Sequence, residues 1–136
     1  MERPVQRAAS RDDTATAPAT AALGTHVLVD MFDCDRAALD DRAALEAAAR
    51  EAVTASGATL LGVQSHAFSP HGVTVLAMIA ESHLSLHTWP EHGYLAFDYF
   101  TCGDRIRAER ALEVVRAAIR PGRVASREVP RGVVGG

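Results

Sequence analysis

Residues 73–102 have the sequence VTVLAMIAESHLSLHTWPEHGYLAFDYFTC, and this stretch decides the fold. It contains three runs rich in β-branched, aromatic and other apolar residues, at 73–80, 83–89 and 94–102. Only short breaks separate the runs, which is typical of neighbouring antiparallel strands joined by tight turns. The stretch therefore predicts three consecutive strands of one antiparallel sheet.

The sequence on either side of this stretch adds three strands and two helices. Strands are predicted at 25–32, 58–68 and 123–129. Helices are predicted at 40–56, which is rich in alanine, and at 105–120, where apolar residues recur at helical spacing. The order β-α-β-β-β-β-α-β favours an α+β fold, a two-layer sandwich with a mainly antiparallel sheet and both helices on one face. The other face of the sheet then needs cover or a function.

The N-terminal segment differs in composition from the remainder of the chain. Residues 1–22 are small, polar and charged and lack strong hydrophobic periodicity, so we expect a disordered tail without the apolar core of a signal peptide. Residues 23–136 are expected to form a single domain, the default for a chain of 136 residues.

Charge and cysteine content exclude several classes of partner. The formal net charge is −3, so no basic surface for nucleic acid is expected. No apolar run has the length needed to span a membrane. The two cysteines, Cys34 and Cys102, lie far apart and lack metal-ligand spacing, which favours a reducing cytoplasm over a disulfide-bonded protein. We treat Cys34 as structural.

Histidines are concentrated around the central strands, and a metal site is one interpretation of them. His83 and His87 share parity on a strand, so both could face one ion. No third ligand follows at a diagnostic spacing, and we expect no metal. Five of the six histidines belong to this region: His66, His71, His83, His87 and His92.

Nucleophilic hydrolysis and self-processing are the two other interpretations. Cys102, His87 and Asp98 could form a hydrolase triad, although the glycine pattern of a nucleophile elbow is missing. Alternatively, the Ser82 hydroxyl could attack the carbonyl of Glu81 and turn the amide into an ester. Elimination and hydrolysis would then leave a pyruvoyl group at a new N-terminus. Residue chemistry alone leaves the three interpretations open.

Two adjacent motifs resemble a known family. ESHLSLHTWPEHGY at 81–94, followed by FDYFTCGD at 97–104, resembles the bacterial and archaeal S-adenosylmethionine decarboxylase proenzymes, and the similarity extends from about Gly24 to Arg131. The resemblance implies a pyruvoyl-dependent decarboxylase that cleaves itself between Glu81 and Ser82 and supplies the aminopropyl donor for spermidine synthesis. It also implies a two-layer α/β sandwich that pairs into homodimers.

The resemblance carries catalytic roles to four residues of this chain. Ser82 becomes the pyruvoyl group, the self-generated cofactor, whose carbonyl forms a Schiff base with the substrate amine and accepts electrons as carbon dioxide leaves. His87 serves processing, and Thr74 supports it with a hydroxyl group. Cys102 is the proton donor in decarboxylation. Family members commonly have serine and glycine where this chain has Thr74 and Val75, which predicts slower processing.

The resemblance also carries substrate-binding roles to Phe68, Trp89 and Glu91. Aromatic side chains suit an adenine ring and a sulfonium, and a carboxylate suits a ribose or a cation. Relatives on this scaffold decarboxylate arginine or ornithine, so L-arginine and L-ornithine are alternative substrates. An unprocessed binding or regulatory paralogue is the non-enzyme alternative.

Overall fold

The computed structural model describes residues 22–102 and 105–134. Residues 1–21 of the predicted tail lie outside this range, and Ala22 begins the first strand.

Six strands and two α-helices follow one another in the predicted order. The strands are β1 (Ala22–Phe32), β2 (Leu60–Ala67), β3 (Val73–Ile79), β4 (Ser82–Trp89), β5 (Tyr94–Cys102) and β6 (Arg123–Val133), and the helices are α1 (Arg42–Ala55) and α2 (Ala108–Ile119). Short 3-10 turns at Ala38–Asp40 and Pro90–His92 precede α1 and β5. The α+β prediction is confirmed.

The strands form one sheet in the order β2-β3-β4-β5-β1-β6. All five neighbouring pairs are antiparallel. The three strands predicted from residues 73–102 lie side by side as β3, β4 and β5. The first strand of the chain inserts between β5 and the last strand, so the two ends of the described chain meet at one edge.

One face of the sheet carries the hydrophobic core. Alternate residues of the central strands, such as Val75, Leu86 and Phe97, are buried there. The two helices pack against each other and bury an apolar stripe on this core, with Leu45 of α1 and Val115 of α2 fully enclosed. Because side chains alternate along a strand, the remaining side chains of these strands point to the opposite face, on which neither of the two described helices packs.

The opposite face, which we call the open face, exposes large apolar side chains. Leu76 is 49 % exposed and Met78 is 62 % exposed, although both lie on a central strand. Exposed apolar side chains grouped on one face commonly mark an interaction surface. The open face is also where the histidines of β4 are directed, since His83 pairs with Met78 and His87 with Thr74.

Local signals explain where the helices begin and end. The Asp41 side chain caps α1 by accepting a hydrogen bond from the Ala44 N–H at 3.0 Å. The chain leaves α1 through Gly57, whose φ of 87° is easily adopted only by glycine. Helix α2 ends at Ile119, and Arg120 is its C-cap, immediately before Pro121.

In the described part of the chain, neither helix has the length and apolarity that crossing a lipid bilayer requires.

Candidate active site

Ser82 is the first residue of β4 and has an unusual backbone conformation. Its φ of 151° is rare for any residue other than glycine. The ladder between β3 and β4 runs without a register shift from Ile79–Ser82 to Thr74–His87. The strand thus starts at Ser82 and contains no bulge between Ser82 and His87. Strained conformations of this kind cluster at functional sites.

The carbonyl group that precedes Ser82 is held by neighbouring backbone and side-chain contacts. The Cys102 N–H donates to the Glu81 carbonyl oxygen at 3.2 Å. The Glu81 carboxylate accepts from the Thr59 N–H at 3.1 Å, and the Ala80 N–H donates to the Thr59 carbonyl at 2.9 Å. The Glu81–Ser82 peptide bond is therefore fixed between the start of β2 and the end of β5.

A histidine lies beside the Ser82 hydroxyl group. His83 Nδ1 is 3.1 Å from Ser82 Oγ, within hydrogen-bond distance. The His83 ring packs edge-on against Phe100, with 6.0 Å between ring centroids. The hydroxyl group, an imidazole and the Cys102 backbone thus meet at one end of β4.

His87 and Thr74 form a second polar pair, at the other end of β4. Thr74 Oγ1 lies 3.1 Å from His87 Nδ1, within hydrogen-bond distance. Five residues separate Ser82 from His87 along an uninterrupted strand, or roughly 17 Å. Within one chain, His87 does not reach Ser82.

The three predicted substrate-binding residues lie at the same end as His87. Phe68 is 52 % exposed just beyond β2, and Trp89 is 41 % exposed at the end of β4. Trp89 packs against Tyr94 with ring centroids 5.2 Å apart. The Glu91 carboxylate is 3.1 Å from His71 Nε2, so the His71 ring orients it.

The predicted site residues, together with His83, therefore fall into two groups on one sheet. The first, which we call the cleavage end, consists of Glu81, Ser82, His83 and Cys102. The second, which we call the aromatic end, consists of Phe68, Thr74, His87, Trp89 and Glu91. One chain brings the members of each group together but holds the two groups at opposite ends of β4.

The two cysteines occupy opposite environments. Cys102 is exposed, and Cys34 is buried with its thiol donating to the Met31 carbonyl at 3.5 Å. Burial and the nearby Asp33 charge raise the pKa of the Cys34 thiol to about 11. Cys102 is thus the accessible thiol of the two.

Val75 packs on the other face of the sheet from Thr74. Its side chain is fully buried in the helix-facing core, whereas Thr74 lies opposite His87 on the open face. The extra bulk of valine is consequently accommodated by the core and does not lie beside the Thr74 hydroxyl.

The metal and hydrolase interpretations both lack the required geometry. His83 and His87 are four residues apart on β4, roughly 13 Å, which is too far for one ion to bind both. Within residues 22–102 and 105–134, no three His, Cys, Asp or Glu side chains form a metal-binding cluster. His87 pairs with Ala96, six residues along β5 from Cys102, so the triad of Cys102, His87 and Asp98 is not assembled.

Sequence reasoning assigned no catalytic role to His83. Residues 82 and 83 point to opposite faces of an ideal strand, which argues against a contact between their side chains. The positive φ of Ser82 departs from that geometry. The adjacency of serine and histidine in the sequence was the one signal for the contact of Ser82 with His83. No sequence signal indicated that Thr59 anchors Glu81.

Comparison with known proteins gives a consistent result. A family model described as S-adenosylmethionine decarboxylase matches residues 25–132. S-adenosylmethionine decarboxylase proenzymes from Methanococcus aeolicus and Parasynechococcus marenigrum are 44 % and 49 % identical over 110 and 109 residues. These alignments cover 81 % and 80 % of this chain, and 94 % and 85 % of the respective relatives.

A solved structure supports the same assignment. The crystal structure of the adenosylmethionine decarboxylase from Aquifex aeolicus superposes with a TM-score of 0.76 at 35 % sequence identity. The superposition covers 83 % of this chain and 93 % of that one. On the family model, the relatives and the fold together, the chain belongs to the S-adenosylmethionine decarboxylase family.

Proposed function

We propose that this protein is a self-processing, pyruvoyl-dependent decarboxylase of S-adenosylmethionine. The observation that carries the proposal is the Glu81–Ser82 bond at the start of β4. Its serine hydroxyl contacts an imidazole and its carbonyl accepts a backbone N–H. These are the contacts that an attack of the serine on its own preceding carbonyl requires.

Maturation divides the chain into residues 1–81 and 82–136. The Ser82 oxygen attacks the Glu81 carbonyl carbon, and the amide becomes an ester. A base then removes the α-proton of Ser82, and elimination releases the Glu81 carboxylate. Hydrolysis of the remaining dehydroalanine yields ammonia and the pyruvoyl N-terminus. We assign the removal of the α-proton to His87, supported by Thr74.

The residues around Ser82 fit a pyruvoyl group. Ser82 is partly exposed on the strand that also carries His87, and an accessible thiol, Cys102, neighbours the cleavage bond. The pyruvoyl group supplies a carbonyl that binds an amine covalently and withdraws electrons when carbon dioxide departs. The Cys102 thiol then provides the proton for the carbon that has lost the carboxylate.

Phe68, Trp89 and Glu91 bind the adenosyl part of the substrate in this proposal. Both aromatic rings are exposed enough to contact a ligand, and aromatic faces attract an adenine ring and a sulfonium cation. The Glu91 carboxylate, oriented by His71, accepts hydrogen bonds from ribose hydroxyl groups. The product would supply the aminopropyl group for spermidine synthesis.

A homodimer completes the active site. Each chain has a cleavage end and an aromatic end on the same sheet, but holds them too far apart to act on one substrate. The open face between them exposes apolar side chains that a second copy can cover. We therefore propose that each active site combines the cleavage end of one protomer with the aromatic end of its partner.

Simple symmetry gives this arrangement. When two open faces stack on a two-fold axis that runs across the strands, the direction of β4 is reversed between the copies. The start of β4 in one protomer then lies over the end of β4 in its partner. Two equivalent sites result, each with one Ser82 and one His87. A cytoplasmic location suits both sites because Cys102 must remain a free thiol.

The proposal is tested by intact mass and by a substrate panel on the purified protein. We expect two chains, 1–81 and 82–136, with the second blocked by pyruvoyl, and release of carbon dioxide from S-adenosylmethionine. A chain that stays at full length after long incubation would identify an unprocessed paralogue. Processed protein that uses only arginine or ornithine would overturn the substrate but retain the maturation chemistry.

A further inference from the structure

We propose that His83 is the base that takes the hydroxyl proton of Ser82 in the first step of maturation. The proposal rests on the self-cleavage proposed above and deepens it. It assigns a catalytic role to a residue that the family resemblance leaves without one.

The contact between the two side chains carries the proposal. His83 Nδ1 lies 3.1 Å from Ser82 Oγ in the same chain. With the ring proton on Nε2, Nδ1 accepts a hydrogen bond from the serine hydroxyl and can take its proton. Imidazole is the side chain most often used in this role. His87 of the same chain lies roughly 17 Å away, so His87 can approach Ser82 only from the partner protomer, whereas His83 contacts Ser82 within its own chain.

Neighbouring side chains position the His83 ring. Phe100 packs against it edge-on, and Met78 lies directly opposite it on β3. His83 is exposed within one chain, and in the proposed dimer it lies in the site that admits the substrate, so a small molecule such as imidazole can reach it. The base is therefore oriented by packing and accessible to an added reagent, which makes the proposal testable by chemical rescue.

The Cys102 N–H completes the arrangement at the other side of the reacting bond. As Ser82 Oγ bonds to the Glu81 carbonyl carbon, its proton passes to His83 Nδ1. Negative charge then develops on the Glu81 carbonyl oxygen, to which the Cys102 N–H donates at 3.2 Å. When the bond between the Glu81 carbon and the Ser82 nitrogen breaks, His83 returns the proton to that nitrogen. The products are an ester and a free amine, and no other reactant is needed.

The two histidines consequently act at different stages. His83 drives the formation of the ester within its own chain, and His87 drives the elimination that follows. Hydroxylamine separates these stages because it cleaves an ester but leaves an amide intact. A chain blocked after ester formation is cut by hydroxylamine at 81–82, and a chain blocked before ester formation is not.

The experiment follows cleavage by intact mass in freshly purified full-length protein, with and without hydroxylamine. We expect His83→Ala and His83→Asn to slow cleavage at least about 100-fold, the usual contribution of a general base. Hydroxylamine should not cut them. His87→Ala should be cut by hydroxylamine, giving a 82–136 chain that begins with serine. His92→Gln, an exposed histidine in the turn after β4, is the matched control and should cleave as the wild type does.

Added imidazole distinguishes a base from a structural role. We expect imidazole to restore cleavage of His83→Ala, which also shows that this variant is folded. Cleavage at the wild-type rate in both His83 variants would overturn the proposal, and so would a blocked variant that imidazole does not restore or that hydroxylamine cuts. Failure of the wild type to cleave would instead overturn the proposed function, so the two results are distinguishable.

Discussion

The two ends of β4 carry different kinds of chemistry on one strand. The cleavage end is held by backbone contacts, with the Glu81 carbonyl fixed by the Cys102 N–H and the Glu81 carboxylate by Thr59. The aromatic end is built from side chains, with an imidazole bonded to Thr74 and with Trp89 exposed. The cleavage end is suited to hold a peptide bond that is to be cleaved, and the aromatic end is suited to bind a ligand.

In the proposed mechanism, neither end suffices alone. A reacting serine needs a rigid backbone and a donor aimed at its carbonyl, which the cleavage end provides. Recognition of a nucleoside needs exposed aromatic and carboxylate groups, which the aromatic end provides. Because the strand keeps the two ends apart, a second copy of the chain is the simplest means of combining them.

The largest effect is expected from Ser82→Ala, which removes the proposed nucleophile of the cleavage end. The chain should remain at full length and release no carbon dioxide, because alanine cannot form the ester. Intact mass and a decarboxylation assay check this. Cleavage of Ser82→Ala at 81–82 would show that the bond is broken by another group.

Cys102→Ala should separate maturation from catalysis. The substitution removes the thiol but keeps the backbone N–H that contacts Glu81. We expect normal cleavage into 1–81 and 82–136, and a loss of turnover of about 100- to 10,000-fold, the range for a missing general acid. Cys34→Ala is the matched control, since its thiol is buried. Normal turnover in Cys102→Ala would remove Cys102 from the catalytic step.

Trp89→Ala tests recognition at the aromatic end. We expect kcat/KM for S-adenosylmethionine to fall by a factor equivalent to a loss of about 1–3 kcal/mol of binding free energy, the value of stacking between an aromatic side chain and a base. Cleavage at 81–82 should be retained, because Trp89 takes no part in proton transfer. Undiminished use of S-adenosylmethionine would place the adenine elsewhere.

The smallest effect is expected from Thr74→Ser, which keeps the hydroxyl group beside His87 but removes the β-branch. Freer rotation of the hydroxyl should accelerate cleavage about two- to fivefold, a smaller effect than that expected from the loss of a strong hydrogen bond. Thr74→Val keeps the shape and removes the hydroxyl, and it should slow cleavage. Equal rates for the three proteins would exclude a role for the Thr74 hydroxyl.

The order of strands and helices could be predicted because local signals determine it. Alternating apolar residues at 73–79 and the cap and glycine around α1 act within a few positions of the chain. The position of β1 between β5 and β6 could not be predicted in this way. It depends on pairing between residues far apart in sequence, such as Gly24 with Cys102.

The sequence resemblance named candidate site residues but not their arrangement. Resemblance supplied Ser82, His87 and Cys102 without their separation along β4. That separation is fixed by the regular ladder between β3 and β4, which pairs Ser82 with Ile79 and His87 with Thr74. The contact of His83 with Ser82 depends on a positive φ that no residue pattern indicates.

Cleavage in a mixed dimer tests the division of the site between two chains most directly. Ser82→Ala and His87→Ala chains, carrying tags of different mass, would be co-expressed and the mixed dimer purified through both tags. We expect the His87→Ala chain to be cut at 81–82, because its Ser82 faces the intact His87 of the partner protomer. Each variant expressed alone should stay uncut. Absence of cleavage in the mixed dimer would contradict a site shared between two chains.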